Sequence, residues 1–128
     1  MAKNILVIDD EGIVTKSIQK LLRKEGYHTV IATSGQEAIE QCKISDFDLI
    51  VSDIRMPQLN GIETIQKIRQ VMQEQKKKPV PEILITGYAD EDSYKKALNL
   101  KVTDYIYKPF DTKEFLDTVK RNLDVAKE

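Results

Sequence analysis

The segment Asn4-Ile5-Leu6-Val7-Ile8-Asp9-Asp10 decides the fold of this chain, because a short apolar run ends there in two acidic residues. Three later apolar runs also lead into a polar residue: residues 49–51 into Asp53, 83–85 into Thr86 and 105–107 into Lys108. Short apolar runs without alternation are typical of parallel strands covered on both faces. The carboxyl ends of neighbouring parallel strands share one sheet edge, where open α/β folds bind ligands. The sequence therefore predicts one site that combines three carboxylates, a hydroxyl and an ammonium group.

Strand-like runs alternate with helical patterns along the whole chain. The runs cover about residues 4–9, 28–32, 47–52, 82–86 and 103–107. Right-handed crossovers, with helices on both faces, favour a doubly wound sheet over a closed barrel at this length. We therefore expect an α/β fold of flavodoxin-like (βα)5 type, with a five-stranded parallel sheet in the order 2-1-3-4-5.

Capping residues mark several helix boundaries. Ser34 with Glu37, and Asp111 with Glu114, resemble capping boxes, so helices should begin near residues 35 and 112. Three single residues indicate further boundaries: Gly26 as a C-cap, Asn60 before the third helix and Asp90 before the fourth.

The composition describes one ordinary domain. With 128 residues, of which 41% are hydrophobic, residues 1–128 can bury a core and are expected to form a single domain. The formal net charge is −1, so charge indicates neither a nucleic-acid nor a membrane partner. The one cysteine, Cys42, is expected to be buried, and the one histidine, His28, to be structural. Because the first apolar run is too short for a signal peptide or a membrane span, we expect a cytoplasmic protein.

The three acidic residues at the predicted edge suit a divalent cation. Carboxylates that crowd together in a partly buried cleft repel one another unless one is protonated or a cation lies among them. Mg²⁺ takes one or two carboxylates and keeps several waters, which suits an open site. We predict Asp10 and Asp53 as direct ligands and Asp9 as a ligand through water. The alternative is that Asp10 only caps a helix and Asp53 only ends a strand.

The same residues suit phosphoryl transfer, which depends on positioning and charge neutralisation. Asp53 is the predicted nucleophile, because a carboxylate can form an aspartyl phosphate. Lys108 would pair with one phosphoryl oxygen, and the Thr86 hydroxyl would donate to another. The set contains no obvious general base for fast turnover, so the adduct is expected to persist and to act as a signal.

Five motifs together resemble those of the receiver domains of two-component response regulators, especially the chemotaxis (CheY-like) type. They are Asp9-Asp10, Asp53 within residues 52–57, Asn60-Gly61, Thr86-Gly87 and Lys108-Pro109-Phe110. The resemblance covers nearly all of the chain. It implies that a sensor histidine kinase or a phosphotransfer protein phosphorylates Asp53, and that the domain is no enzyme beyond self-catalysed phosphotransfer and autodephosphorylation.

The resemblance also implies roles for single residues. The backbone carbonyl of Arg55 would join the Mg²⁺ ligands, and the Lys108–Pro109 bond would be cis. Thr86 and Tyr105 would form a switch, in which Thr86 moves toward the phosphate and frees space for the aromatic ring. We assign Tyr107 to the opposite face of its strand and expect it to pack in the interior.

Two positions that follow the predicted site residues are interpreted in two ways. Arg55 and Tyr88 lie two residues after Asp53 and Thr86. One hypothesis is that they shield the adduct and slow its hydrolysis, and the other is that they are ordinary loop side chains.

The output is open. The face of helix 4, strand 5 and helix 5 is where similar domains dimerise or dock, and it includes Lys95, Asp104, Tyr105 and Lys120. The chain is expected to control a downstream protein, or to be a receiver portion of a DNA-binding transcription regulator or a hybrid histidine kinase. We expect no direct nucleic-acid binding by this domain, and interpret the lysine-rich segment 76–78 as a solvated loop.

Three other classes share residues or fold with this prediction. A phosphohydrolase of the haloacid dehalogenase type would need an acid two residues after the nucleophile, where this chain has Arg55. A flavodoxin-like cofactor binder would need a glycine- or hydroxyl-rich phosphate loop, whereas residues 9–11 are acidic and repel phosphate without a metal. A degenerate receiver that only binds partners would lack Asp53, Lys108 or an acid of the pair, and all are present.

Overall fold

The computed structural model describes residues 2–87 and 91–127, and it confirms the predicted α/β fold. The strands are β1 (Asn4–Ile8), β2 (His28–Ala32), β3 (Leu49–Asp53), β4 (Glu82–Thr86) and β5 (Asp104–Tyr107). The helices are α1 (Gly12–Lys24), α2 (Gly35–Ile44), α3 (Gly61–Glu74), α4 (Glu91–Leu100) and α5 (Thr112–Lys127). All neighbouring strands are parallel, in the predicted order β2-β1-β3-β4-β5. Among these described helices, none is both long enough and apolar enough to cross a membrane.

The register of the sheet aligns the carboxyl ends of its central strands. The last paired positions are Ile8 with Ser52, Asp53 with Ile85, and Thr86 with Tyr107. Asp53 and Thr86 therefore end their strands, while Asp9 and Lys108 come directly after theirs. All four residues lie at one edge, as predicted.

Two apolar layers cover the sheet. Helices α1 and α5 pack on the face that carries Ile5 and Val7, and α2 with α3 packs on the face that carries Leu6 and Ile8. These four residues of β1 are at most 1% exposed, which explains why the run is continuously apolar. Each side chain of this kind stabilises the fold by about 1.5–3 kcal/mol on burial. The strands that carry the polar edge are therefore fixed by apolar packing on both faces.

Most of the predicted helix caps are confirmed. Three helices begin at a side chain that accepts a hydrogen bond from the backbone N–H three residues later: Ser34 for α2, Asn60 for α3 and Asp111 for α5. At α3 the side chain of Glu63 completes a capping box. At α2 the carboxylate of Glu37 accepts a hydrogen bond from the Thr33 hydroxyl at 3.2 Å. Asp90, the predicted cap of α4, lies outside the described residues.

The lysine-rich segment is more than a solvated loop. Lys77 Nζ donates to the backbone carbonyls of Cys42 (2.8 Å) and Ser45 (3.3 Å) and pairs with Asp46 at 3.1 Å. The last carbonyls of a helix have no partner within it, and a cation favours that end. Lys77 therefore caps α2 from the end of α3. The segment is a loop, as predicted, but the prediction that it is solvated is wrong for Lys77 and holds for its two exposed neighbours.

Cys42 and His28 both have structural positions, as predicted. Cys42 is buried, and burial raises the pKa of its thiol to about 11, so the thiol is protonated at neutral pH. His28 begins β2, at the end of the sheet opposite the acidic edge, and its Nδ1 lies 2.8 Å from Asn4 Oδ1.

Helix α3 ends in a left-handed residue that is not glycine. Lys76 has a φ of 58°, and the N–H groups of Lys76 and Lys77 bond the carbonyls of Gln73 (3.1 Å) and Met72 (2.8 Å). Helix α1 ends in the same bonding pattern, but there the left-handed position is occupied by Gly26 with a φ of 89°. The predicted C-cap role of Gly26 is confirmed.

Lys76→Gly is expected to stabilise the protein by about 0.5–1 kcal/mol, because glycine avoids the cost of a side chain in the left-handed region. Urea unfolding followed by circular dichroism measures the free energy of unfolding. Gly26→Ala is the matched control and should lose a similar amount, since an added Cβ there meets no atom within 4 Å and only the backbone conformation is tested. A Lys76→Gly variant no more stable than its parent would contradict this account of the helix end.

Candidate functional site

Three acidic side chains meet at the carboxyl edge of the sheet. One carboxylate oxygen from each of Asp9, Asp10 and Asp53 lies within 4.8 Å of the other two. Asp9 and Asp10 follow β1, and Asp53 ends β3, the strand beside it. The structure thus brings together the residues that the sequence analysis assigned to a metal.

Asp9 is the most confined of the three. It is 2% exposed, its Oδ1 accepts a 2.9 Å hydrogen bond from the Glu11 N–H, and its Oδ2 has no partner in the described part of the chain. Burial raises the pKa of Asp9, and this effect together with the charge of Asp53 outweighs the lowering effects of the Glu11 N–H and of Lys108. A buried carboxylate oxygen without a partner costs free energy, and a hard cation with oxygen ligands would satisfy it. The residues present therefore fit Mg²⁺.

Asp10 does not cap a helix. The N-cap of α1 is Glu11, which makes no side-chain capping bond within the described structure. The side chain of Asp10 is exposed and has an oxygen near the other two carboxylates. The alternative reading as a cap is therefore wrong, and the role as a metal ligand stays a prediction that the geometry fits.

An ion pair joins Asp53 to the lysine after β5. Lys108 Nζ lies 2.9 Å from Asp53 Oδ2, and the two side chains are 30% and 5% exposed. Burial alone would lower the pKa of Lys108, but the hydrogen bond and charge of Asp53, with the charges of Asp9 and Glu11, raise it. The ammonium is therefore charged at neutral pH and offsets part of the negative charge. The other oxygen of Asp53, Oδ1, accepts a 3.4 Å hydrogen bond from the Arg55 N–H.

Lys108 reaches Asp53 across the end of β4, which lies between their strands. The Lys108 N–H donates to the Thr86 carbonyl at 2.8 Å, which anchors the backbone from which the side chain extends. A Cβ at Gly87 would lie 3.9 Å from Lys108 Cδ, so the lysine passes directly over this glycine. The Lys108–Pro109 bond is cis, as the resemblance implies.

The backbone of Asp53 packs against the first residue of α3. The Gly61 N–H donates to the Ile54 carbonyl at 2.8 Å, and a Cβ at Gly61 would lie 2.1 Å from the Asp53 carbonyl oxygen. No residue but glycine fits there without moving the backbone of the predicted nucleophile. In the sequence, Asn60-Gly61 is recognisable as a family motif that opens a helix, but the spacing of the motif does not indicate this steric role.

The switch residues lie in β4 and β5 beside the site. Thr86 is half-buried at the end of β4. The Tyr105 hydroxyl donates to the Ala97 carbonyl of α4 at 2.6 Å, and its ring packs against the cluster that α3 and α4 form. Their predicted movement stays a prediction. The prediction for Tyr107 is wrong: it is 49% exposed, and residues two apart on a strand share a face, so it lies on the same side as Tyr105.

Of the two positions predicted to shield the phosphate, the structure describes only Arg55. Arg55 is exposed, and its backbone lies close to Asp53 through the N–H bond already described. Its roles as a carbonyl ligand and as a shield stay predictions. Tyr88 lies outside the described residues.

The family model for the response regulator receiver domain matches residues 5–120. Among similar proteins, the transcriptional regulatory protein CrdR of Helicobacter pylori is 31% identical over 121 residues. The alkaline phosphatase synthesis transcriptional regulatory protein PhoP of Bacillus subtilis is 35% identical over 120 residues. Each alignment covers 94% of this chain, but 55% and 48% of the two relatives, so the chain spans about half their length.

Solved structures of receiver domains superpose closely on this chain. A CheY-like receiver domain protein from Methanospirillum hungatei has a TM-score of 0.89 and 28% identity, with 99% of this chain and 98% of that chain covered. The receiver domain of sensor histidine kinase PA1611 from Pseudomonas aeruginosa has a TM-score of 0.84 and 26% identity, with 97% and 99% covered. A magnesium ion is coordinated in the active site cleft of that structure.

Asp9→Asn is expected to stabilise the metal-free protein by about 1 kcal/mol at neutral pH, because it removes one of three crowded charges. The gain should shrink as the pH falls, since the raised pKa means that Asp9 of the parent is then protonated as well. Thermal unfolding in EDTA and in Mg²⁺ measures both states. The variant should gain less from Mg²⁺ than the parent, because a group that holds the cation has lost its charge.

Asp117→Asn is the matched control, because Asp117 is an exposed aspartate of α5 outside the acidic cluster. It should alter neither the stability in EDTA nor the response to Mg²⁺. A destabilised Asp9→Asn protein in EDTA, or one that responds to Mg²⁺ as the parent does, would contradict the metal assignment.

Proposed function

The chain belongs to the family of response regulator receiver domains, and on that premise we propose that Asp53 accepts a phosphoryl group from the phosphohistidine of a sensor histidine kinase or a phosphotransfer protein. The observation that carries this proposal is the setting of Asp53. Its carboxylate pairs with Lys108 at 2.9 Å and lies within 4.8 Å of oxygens from Asp9 and Asp10. Two further carboxylates beside an aspartate repel it, so this arrangement is not expected for an aspartate that only ends a strand.

In the proposed reaction, a carboxylate oxygen of Asp53 attacks the phosphorus in line with the leaving nitrogen. The new O–P bond forms while the N–P bond of the donor breaks, and the leaving imidazole takes a proton from solvent. Lys108 exchanges its bond to Asp53 Oδ2 for a bond to a phosphoryl oxygen, so its charge stays paired. The Thr86 hydroxyl donates to another phosphoryl oxygen.

Mg²⁺ would be held by Asp10 and Asp53, by Asp9 through water, and by the backbone carbonyl of Arg55. When bound, it supplies the positive charge that lets three carboxylates and a phosphoryl group share one edge. Oδ2 of Asp9, which has no partner among residues 2–87 and 91–127, supports this ligand set.

The chemistry we propose is limited to phosphotransfer onto Asp53 and slow autodephosphorylation. A phosphohydrolase that turns over many substrates would place an acid two residues after the nucleophile, to move the proton. That position holds the exposed Arg55, whose guanidinium cannot do so. The aspartyl phosphate would therefore last long enough to serve as a signal.

Phosphorylation of Asp53 would change the conformation of the surface formed by α4, β5 and α5. Tyr105 links β5 to α4 through the Ala97 carbonyl, and Arg121 of α5 pairs with Asp104 of β5. A shift of Thr86 toward the phosphate, followed by Tyr105, would disturb these links. This face would then bind a downstream protein, an output domain or a second copy of the chain.

We also propose that residues 1–128 form a single receiver unit that works in the cytoplasm. Two settings fit it: a receiver that acts by itself on a partner, or the receiver portion of a longer regulator. Relatives named as transcriptional regulators, about twice the aligned length, support the second setting. In that case DNA binding would belong to another domain.

Incubation with Mg²⁺ and acetyl phosphate is expected to add one phosphoryl group per chain, as measured by intact mass. Asp53→Ala should abolish the addition, because the nucleophile is gone. Lys108→Ala should slow it by about 10²-fold, because one preorganised charge is lost. Lys20→Ala, an exposed lysine of α1, is the matched control and should leave the rate unchanged. No labelling of the parent, or labelling that survives Asp53→Ala, would overturn the proposed function.

Beryllofluoride with Mg²⁺, a mimic of the phosphoryl group, is expected to shift amide NMR signals of α4, β5 and α5. The shifts should shrink in Thr86→Ala, because the hydroxyl that responds to the phosphoryl group is absent. Thr33→Ala, an exposed threonine after β2, should keep them. Equal shifts in Thr86→Ala and in the parent would contradict the proposed switch.

A further inference from the structure

Helix α2 carries none of the proposed site residues, yet its first residue packs against α3 with no space for a side chain. Gly35 is buried, and a Cβ added there would lie 2.2 Å from Thr64 Oγ1 and 2.8 Å from Leu59 Cβ. Heavy atoms of a protein interior do not approach so closely, so the start of α2 has no room for a side chain against Leu59 and Thr64.

Neither neighbour of Gly35 can move alone. Thr64 is fully buried, and its hydroxyl donates to the Asn60 carbonyl at 2.8 Å, so a rotation of the side chain would break that bond. Leu59 Cβ is attached to the backbone and has no rotamer that removes it. Relief at Leu59 therefore requires the backbone between β3 and α3 to shift.

The backbone between β3 and α3 also packs against Asp53. Gly61 follows Leu59 by two residues, bonds the Ile54 carbonyl at 2.8 Å, and has no space for a Cβ against the Asp53 carbonyl. A Cβ at Gly35 would meet Leu59 Cβ, the chain joins Leu59 to Gly61, and a Cβ at Gly61 would meet the Asp53 carbonyl, so this path runs through backbone and Cβ atoms. Such contacts transmit a displacement, because no side-chain torsion can absorb it.

We propose that Gly35 is a positioning residue for Asp53. Its missing side chain lets the start of α2 fit against Leu59 and Thr64 without displacing the backbone of residues 59–61, and so leaves the nucleophile where an in-line attack is possible. The inference rests on the proposed phosphorylation of Asp53, and adds to it a residue on a helix that touches neither metal nor phosphate. A displacement of about 1 Å at a reacting group can cost 10²-fold in rate.

Gly35→Ala is expected to lower the maximal rate of Asp53 phosphorylation by acetyl phosphate about tenfold or more, and to weaken Mg²⁺ binding. Rates are measured by intact mass at saturating Mg²⁺ and at several donor concentrations, well below the unfolding temperature. The donor concentration for half-maximal rate should change little, because Gly35 does not contact the donor. A loss confined to half-saturation, with the maximal rate unchanged, would overturn the proposal.

Two controls separate positioning from stability. Gly12→Ala adds a methyl group at the start of α1, where no atom lies within 4 Å of the new Cβ, and should keep the parent rate. Leu22→Val removes core volume at the far end of α1 and should lower the unfolding temperature without changing the rate. If Leu22→Val and Gly35→Ala lose rate alike at equal loss of stability, the positioning role is wrong.

A double variant serves if Gly35→Ala does not fold. Thr64→Ala removes the nearest atom, and Gly35→Ala in that background still collides with Leu59 Cβ. The double variant should be slower than Thr64→Ala alone, and equal rates would overturn the proposal. Failure of the parent to label at Asp53 would instead overturn the proposed function, so the two failures are distinguishable.

Discussion

The repulsion among three carboxylates is the constraint on which the rest of this structure depends. Oxygens of Asp9, Asp10 and Asp53 lie within 4.8 Å of one another, and Asp9 is buried with one oxygen unpartnered within the described residues. Lys108 supplies one positive charge, which does not neutralise three carboxylates. A bound cation would complete the balance, and an arriving phosphoryl group would then find a nucleophile, a metal and a lysine already in place.

The backbone around the site is arranged so that this balance is kept. The Lys108 side chain reaches Asp53 over the end of β4, and the Asp53 carbonyl lies against Gly61, where no Cβ would fit. A Cβ at Gly35 would collide with Leu59 and Thr64, which lie on either side of Gly61 in the chain. Two glycines thus allow close packing at the starts of α2 and α3, while the apolar layers on both faces of the sheet hold the strands that carry the site.

Local patterns in the sequence were sufficient for the elements and for most of the site, because each depends on neighbours in the chain. Strand ends, caps such as Ser34 and Asn60, and the alignment of Asp9, Asp53 and Lys108 follow from short runs and from parallel topology. Close approaches between distant segments were missed, since spacing does not encode distance: Lys77 against the end of α2, and Gly35 against Thr64. The placement of Tyr107 was an error of strand periodicity.

Titration with Mg²⁺ followed by carboxyl ¹³C NMR tests the central claim most directly. The side-chain carboxyl signals of Asp9, Asp10 and Asp53 should shift together with one dissociation constant, while those of the exposed Asp46 and Asp117 stay where they are. If the three signals do not respond, or if they respond no more than the exposed aspartates do, the acidic edge is not a metal site.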